Sequence, residues 1–479
     1  MKKTISISTL LIICTLCLSL KTYSQFPEDV LRLSTPGFGV GARSIGLGMA
    51  YTGVANDFSA AYYNPAGLAQ LRMNEVSVGL QNVSFGNTGS FFTNDQSLTN
   101  SGTNLNSLGL VYAVPTKKGS FVLAIGYNRQ SDFTTGLSFA GFNPNSSIVQ
   151  SFAPDGGLTP NPSGNLAYEL YLANADSIGP NTYRWDSKIT DNVTQSGKVL
   201  ESGGLNHVSF SGAVETAKDL YLGLTVNILS GSYNYQRNYY EDDLRNIYTT
   251  SPFDLRSLSL LETVESDLSG FNANLGFLYK FGENSRVGIS VKTPSWITVS
   301  EVYSQSGSSD FDNNDHFEYV VADRVHNEYD VTTPFVFSAG LSYGIRNVML
   351  TADLDYTDWT QMEFRNANST LLSYNTQIKE EFQPTADIHI GAEFEPIAGS
   401  LQLRGGFAYL RSPYQNDPAN FDKKYITAGA GFLVADAIAI DLAFAHGYWK
   451  NFRVNYDATS RVDEDITTNN LIGTVSYRF

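Results

Sequence analysis

From about residue 75 to the end of the chain, apolar and polar residues alternate with period two in run after run, the pattern of a β-strand with one oily face. Leu220, Leu222, Leu224, Val226 and Ile228 alternate with Tyr221, Gly223, Thr225 and Asn227. Phe271, Ala273, Leu275, Phe277, Tyr279 and Phe281 alternate with Asn272, Asn274, Gly276 and Lys280, and Ile438, Ile440, Leu442 and Phe444 with Ala439, Asp441, Ala443 and Ala445. Short connections separate such runs at Pro115 to Gly119, Thr216 to Asp219, Gly282 to Ser285, Gly344 to Asn347, Pro396 to Gly399 and Ala435 to Ala437. These six turns imply seven hairpins, hence fourteen strands of about 10 residues each, beginning near Glu75 and ending at Phe479. The remaining connections are long and polar, at residues 84–106, 130–205, 235–268, 304–328, 366–382, 411–423 and 452–467. Short turns on one side and long loops on the other are the layout of an outer-membrane barrel. The alternation alone does not tell an oily face turned to lipid from one turned to a soluble core.

The two ends of the chain decide between them. Lys2 and Lys3 precede an apolar run from Leu10 to Leu20, and Thr22-Tyr23-Ser24 places small residues at −3 and −1 of a cleavage site before Gln25. Residues 1–24 read as a secretory signal peptide. Ile13 and Leu16 precede Cys14 and Cys17, so lipoprotein processing is not expected, and the mature chain holds no cysteine. At the other end, Leu471, Val475, Tyr477 and the terminal Phe479 share one face of the last strand. That strand resembles the C-terminal targeting strand of bacterial outer-membrane barrels and implies the barrel-assembly machinery as a partner. A spanning sheet must close, because lipid offers no partner to an unpaired backbone group.

Composition fits this reading. The 479 residues are 42% hydrophobic and 13% aromatic but only 16% charged, with a net charge of −16, and losing Lys2, Lys3 and Lys21 with the leader makes the mature chain more acidic still. Such a chain repels a phosphate backbone, so no nucleic-acid partner is expected. Nothing after the leader approaches the length of an apolar membrane-spanning helix. Residues 25–73 differ from the rest: they carry Gly37, Gly39, Gly41, Gly46, Gly48, Gly53 and Gly67, and Asp57 stands as a helix N-cap before Phe58-Ser59-Ala60-Ala61-Tyr62. About fifty such residues fit inside a barrel of this size and block it. The expected fold is all-β: a 14-stranded antiparallel transmembrane β-barrel over residues 74–479, with residues 25–73 as an N-terminal plug of short helices in its lumen.

The plug carries Gly41-Ala42-Arg43-Ser44-Ile45-Gly46-Leu47-Gly48, then Ala55-Asn56-Asp57, then Tyr62-Tyr63-Asn64-Pro65-Ala66-Gly67-Leu68. In this order they resemble the N-terminal hatch of the FadL/TodX family of outer-membrane transporters for hydrophobic compounds, with Asn64, Pro65 and Ala66 as its Asn-Pro-Ala motif. Thr333-Pro334-Phe335 with Asp355-Tyr356-Thr357-Asp358-Trp359, and Leu403-Arg404-Gly405-Gly406-Phe407-Ala408-Tyr409 with Ser412-Pro413, are similar to the family's later strands. The resemblance implies passive uptake of a long-chain fatty acid or hydrocarbon, captured at the outer loops and released sideways into outer-membrane lipid through a kink in the third strand when the hatch shifts. Leaving water gains an apolar solute about 25 cal/mol per Å². Strand three falls at Phe121 to Arg129, where Gly126, Tyr127 and Asn128 form its one Gly-centred place; Gly126 reads equally well as a small lumen-facing residue.

A carboxylate-bearing ligand calls for a cation in the lumen. The face alternation turns Lys292 and Arg404 inward, and Arg43 lies in the plug; Asp353, Asp355, Asp387, Glu393 and Asp441 face inward too, so a charge ladder is the competing role for Arg404. Phe58, Tyr62 and Phe91 are the aromatic candidates for ligand contact, with Phe133, Phe139, Phe142, Ile148 and Phe152 as an outer capture surface or as packing within their own loop. Enzyme chemistry is not expected. Gly340-Leu341-Ser342-Tyr343-Gly344 has the spacing of a nucleophile elbow but lies at a strand end with no helix after it. The histidines lack metal-ligand spacing, and Asp310 to Asp315 begins like a calcium loop but has Asp315 at the glycine position and Val321 at the bidentate one. No cofactor and no metal are expected. The alternative function is a non-transporting barrel that serves as a platform in protein secretion, like PorV.

Overall fold

Each alternating run forms one wall strand, because a strand with an oily and a polar face is stable only between two unlike media. The computed structural model describes residues 27–282, 284–321, 325–397, 399–434 and 437–479. The expected leader, residues 1–24, lies outside them, as do residues 283, 398, 435 and 436 of three expected turns.

Among the described residues, fourteen antiparallel strands close into a barrel. They are β1 (Glu75–Phe91), β2 (Asn94–Val114), β3 (Phe121–Asp132, resuming at Thr135–Asn143), β4 (Val193–Ala217), β5 (Leu220–Asp242) and β6 (Leu255–Phe281). There follow β7 (Ser285–Lys292, resuming at Trp296–Phe311), β8 (Val325–Thr332, resuming at Val336–Ile345), β9 (Val348–Asp358), β10 (Pro384–Ile397), β11 (Leu401–Leu410), β12 (Lys423–Val434), β13 (Ile438–Val454) and β14 (Arg461–Arg478). Closure comes from β14 on β1, in register from Glu75↔Arg478 to Ser90↔Asp463, and Asn74 and Phe479 exchange two backbone hydrogen bonds of 3.1 Å beyond it. Pro294 and Pro334, which lack an N–H for the ladder, interrupt β7 and β8 side by side. There the ladder is replaced by Ser295 N donating to Thr333 Oγ1 at 2.8 Å and Thr333 N to Ser295 O at 3.0 Å.

The oily faces turn outward. Leu222, Leu224, Val226, Ile228, Phe271, Leu275, Leu442, Phe444, Leu471, Val475, Tyr477 and Phe479 are all exposed, while Asp441, Ala443 and Ala445 are buried. Aromatic pairs lie on the same outer surface: Phe271 stacks on Trp296 at 5.0 Å and Tyr477 on Phe479 at 5.6 Å, as the interfacial girdles of such barrels do.

Several of the expected outer loops are strand instead. The connection expected at 84–106 is a continuation of β1 and β2, whose paired residues run up to Phe91↔Asn94. Those expected at 235–268, 304–328 and 452–467 shrink in the same way, and strands reach 25 residues in β4 and 27 in β6 rather than about 10. The reason is the medium: above the lipid, a strand can be polar on its outer face, as Asn82, Ser84, Gly86 and Thr88 are in β1, and alternation then vanishes. The segment expected as loop at 130–205 contains the second half of β3, two short helices, α4 (Val149–Phe152) and α5 (Leu166–Glu169), and a three-stranded sheet of Leu158–Thr159, Asn174–Gly179 and Thr182–Asp186. Phe91, Phe139, Leu170, Trp185 and Tyr239 pack together at the core of this outer lobe. At 366–382 stands helix α6 (Ser369–Glu381), numbered after the plug helices α1 (Pro27–Ser34), α2 (Ala42–Gly46) and α3 (Ala60–Tyr63).

The lipid-facing band sets a test. Leu224→Arg places a charge within the apolar band of β5 and is expected to destabilise the barrel by about 2–4 kcal/mol near the bilayer midplane, whereas Asn234→Arg, exposed higher on the same strand, costs little. Urea unfolding in lipid vesicles measures both, and equal effects would contradict this placement of the bilayer.

Candidate functional site: the plugged lumen and the break in its wall

A segment that is mostly not regular structure lies inside the barrel, so its backbone groups need partners from the wall. Polar side chains of the wall supply them. Thr474 Oγ1 accepts from Ala42 N at 3.0 Å, Asn106 Oδ1 from Gly41 N at 3.0 Å, and Asp353 from Thr52 N at 2.6 Å. Thr351 donates to Ala50 O and Ser342 to Gly53 O, at 3.0 and 3.1 Å; Ser342 of the elbow-like motif thus sits in β8 and holds the plug.

Contact this close needs a wall without side chains. A Cβ at Gly288 would stand 2.1 Å from Thr52 O, at Gly391 2.4 Å from Leu47 O, at Gly406 2.2 Å from Gly48 N, and at Gly223 2.3 Å from Pro65 C. Gly109 and Gly126 face Phe58, whose ring would be 2.2 Å from a Cβ at either. Phe58 is thereby wedged against β2 and β3, and Gly126 is the seat for its ring.

Asn64, Pro65 and Ala66 lie where the plug presses on β5 and β6. Asn64 is fully buried; its Nδ2 donates to Thr52 O at 2.9 Å and Phe277 O at 3.0 Å, and its Oδ1 accepts from Ala66 N at 3.2 Å. It caps the 3-10 helix Pro65–Gln70, with Pro65 at the first position, where its missing N–H costs nothing. Nearby, Tyr51 donates to Asp57 at 2.6 Å; burial and then Asp57 raise the Tyr51 pKa, keeping it a neutral donor.

The three expected cations divide. Arg43 grips Glu393 of β10 with two hydrogen bonds of 2.8 and 2.9 Å and Asn56 with one of 2.6 Å. Arg404 of β11 binds the same Glu393 at 2.7 Å and Asp441 at 2.5 Å. Glu393 is therefore shared between a plug guanidinium and a wall guanidinium. Lys292 has no hydrogen bond or ion pair among the described residues. Its neighbour in the electrostatic sense is His207 of β4, which is 2% exposed. Tyr62 meets Tyr63 edge-on at 4.9 Å, and its carbonyl accepts from Asn274. Phe91 lies away from the plug, in the outer lobe against Phe92 and Phe139.

The wall itself is interrupted between β2 and β3. The ladder runs from Val114↔Phe121 through Gly109↔Gly126 and Leu108↔Tyr127 to Ser107↔Asn128 and stops there. It is intact at Gly126 and Tyr127, which glycine alone does not break when both flanking ladders continue. Above Asn128, β3 shifts register on β4 between Arg129 and Ser131, and turns at Phe133 and Thr134 before resuming. Two side chains of β2 bridge the opening: Asn100 Nδ2 donates to Thr135 O at 2.8 Å and Glu201 O at 3.2 Å, and Asn104 Nδ2 to Asp132 at 2.7 Å. A cavity of about 470 Å³ remains, lined by residues including Asn100, Thr103, Asn104, Arg129, Ser202 and Asn206. From inside, the plug closes it, with Gly37 N donating to Gln130 O at 2.8 Å and Ser131 Oγ to Thr35 O at 3.0 Å. Asn100, Asn104, Gln130 and His207 escape a reading by sequence: the first three fall in expected loops at 84–106 and 130–205, and nothing local singles out His207.

Above the break, α1 fills the upper lumen. Val30 and Leu33 pack with Leu371 and Ile378 of α6 and with wall residues Leu229, Leu268 and Val331. Arg32 lies over the Tyr233 ring at 4.1 Å and 3.7 Å from Glu201, which also binds Arg453 at 2.8 Å.

A barrel with this plug and this strand order matches a known group of proteins. Residues 186–479 match the family model described as outer membrane protein transport protein (OMPP1/FadL/TodX). The chain belongs to this OMPP1/FadL/TodX family. Its members are transport proteins of the outer membrane, which is also where this barrel resides. Among curated relatives of the OMPP1/FadL/TodX chain, a 47 kDa outer membrane protein of Pasteurella multocida (strain Pm70) is 21% identical over 209 residues, 39% of this chain and 46% of that protein. The match spans about half the length of that relative. Similar solved structures include the P. putida toluene transporter TodX (TM-score 0.57, 13% identity, 92% of this chain and 99% of that one). A Pseudomonas aeruginosa FadL homologue gives 0.56 at 14% identity, over 92% and 98%. At such identities they establish a shared fold.

Asn64→Ala removes two donated bonds and leaves Ala66 N unpaired, a loss of about 1–3 kcal/mol in plug seating. The variant is expected to keep the heat-modifiable migration of a folded barrel while showing raised ion conductance in planar bilayers; unchanged conductance would mean that this residue does not hold the plug.

Proposed function

We propose that the chain is a channel for passive uptake of long-chain fatty acids or other hydrophobic small molecules across the outer membrane. The observation that carries this reading is the break above Asn128, where side chains and the plug, rather than a ladder, close the wall. The ligand enters from the outer lobe, the plug segment from α1 to Gly37 shifts, and the solute leaves sideways between β2 and β3 into lipid. This route spares an apolar solute a water-filled pore. It costs only side-chain and plug contacts to open, since no β2–β3 ladder exists there to be broken. Asn64, Pro65 and Ala66 anchor the part of the plug that stays. Phe58 and Gly126 belong to that anchor, and Arg43 and Arg404 are structural through Glu393. Tyr62 and Lys292 remain available to the ligand, and Phe91 to the outer lobe that captures it. Relatives named for toluene transport and for FadL support a hydrophobic substrate.

Labelled oleate, with an alkane and an aromatic hydrocarbon alongside, is expected to enter a host that lacks its own fatty-acid transporter once this chain is expressed with its leader. A folded outer-membrane barrel that admits none of them would shift the reading to a non-transporting platform for protein secretion. The exposed face of β14 is proposed to be read by the barrel-assembly machinery. Deleting Phe479 also removes the bonds exchanged with Asn74, and is expected to lower the amount of folded barrel in the outer membrane several-fold, scored by heat-modifiability. An unaltered yield would exclude the terminal residue from assembly.

A further inference from the structure

The break differs from the rest of the wall in its chemistry. It begins where the apolar band ends: Leu80, Val208 and Ile228 are the top exposed apolar residues of that band, and Asn82, Asn206 and Ser230 follow them in sequence alternation, with Ser232, Asn234, Gln236 and Asn238 separating Ile228 from the exposed Tyr240 far above. On the outer side, the 470 Å³ cavity is lined by amides, hydroxyls and glycines, with Arg129 already neutralised by Asp132 at 2.9 Å. Tyr127 donates to Asn206 at its foot, at 2.6 Å.

The inner side carries a second, independent feature. Asn128 and His207 are direct cross-strand partners, and Gln130 lies two residues further along β3. All three are at least nine-tenths buried, at 1%, 2% and 4% exposure. Asn128 Oδ1, Gln130 Oε1 and His207 Nε2 nevertheless have no hydrogen-bond partner among the described residues. Buried polar atoms are nearly always paired, so three vacant ones on adjacent wall positions mark a place where a polar guest completes the bonding. Two of the three are carbonyl oxygens, which need a donor, while the imidazole nitrogen serves as either donor or acceptor. A carboxylate, an acceptor only, satisfies neither carbonyl and finds its partners here only in Lys292 and an imidazole N–H; a hydroxyl donates to the carbonyls themselves.

We propose that the break in the wall passes a hydroxyl-bearing head: Asn128, Gln130 and His207 hold it on the lumen side, and the hydroxyl- and amide-lined cavity receives it outside. The substrates are amphiphiles with a neutral hydroxylated head, such as a fatty alcohol or a monoacylglycerol, in preference to bare hydrocarbons or carboxylates. The height of the break suits such a molecule, because the head leaves at the polar level and the tail enters the apolar band beneath it. This inference rests on the channel reading given above and narrows its substrate.

The test uses the full chain in the same host, with dodecane, dodecanoate, 1-dodecanol and monolaurin as probes. The native protein is expected to take up the alcohol and the monoacylglycerol at least tenfold faster than the alkane and faster than dodecanoate. Asn128→Leu and His207→Leu, each with folding checked by heat-modifiability, are expected to lower the alcohol-to-alkane ratio about tenfold, the equivalent of one lost hydrogen bond, while alkane entry persists. Equal uptake of alkane and alcohol, a preference for dodecanoate, or a ratio untouched in folded variants would overturn the inference and leave the channel standing. Entry of none of the four would remove the channel reading itself. The native ratios alone decide the matter if the variants do not fold.

Discussion

Burying irregular backbone inside a closed sheet is the demand that the rest of this architecture meets. A plug between strands that already satisfy one another finds few spare backbone partners in the wall, Gln130 O at the β3 bulge being one, so the N–H and C=O groups its own turns leave unpaired depend on wall side chains. Those side chains must also leave room. The wall answers with two residue classes in alternate places: Thr351, Asp353, Thr427 and Thr474 reach inward to bond, and Gly223, Gly288, Gly391 and Gly406 withdraw so that the plug backbone comes within contact distance. Replacing either class would remove a partner or the space that brings it into range.

Charge follows the same logic. Glu393, between Arg43 and Arg404, ties plug to wall through a doubly paired carboxylate; removing Glu393 strips Arg43 of its carboxylate and removing Arg404 strips Asp441 of its cation, each costlier than the pair is worth. The α1 end is held differently, by Arg32 on Tyr233 and Glu201 and by two bonds to the β3 bulge. Those bonds tie the stretch after α1 to the break itself, while Phe58 sits below it against Gly109 and Gly126. The α1 end is thus fastened beside the break, whereas the Asn64 region is fastened to β5 and β6 on another part of the wall.

The break shows how a barrel wall can be closed without a continuous ladder. A continuous ladder would seal β2 to β3 with bonds that all yield together; two asparagine amides seal it with bonds that yield singly. The upper part of β2 keeps its other edge on β1 for its full length, so the strand stays ordered when its β3 side is free. One edge of the strand is held by a full ladder and the upper part of the other by single side-chain bonds.

Much of this was legible in the chain. The runs at 220–228, 271–281 and 438–444, the tight turns and the terminal Phe479 determined a fourteen-stranded barrel, because a period of two with one oily face is imposed by the lipid itself and needs no knowledge of neighbours. The Asn-Pro-Ala run and the glycines of residues 25–73 likewise announced a plug. The upper strands, polar on their outer faces, were unreadable, since water imposes no such alternation. The position of the wall break was also beyond the sequence: Gly126 is a local irregularity in composition, but a ladder ends where two strands diverge, and that divergence depends on the β3 bulge, the turn at Phe133 and the pull of Gly37, residues distant from one another along the chain. The unpaired atoms of Asn128, Gln130 and His207 exist only as a relation between strands, so tertiary structure alone decided where the wall offers bonds to a guest.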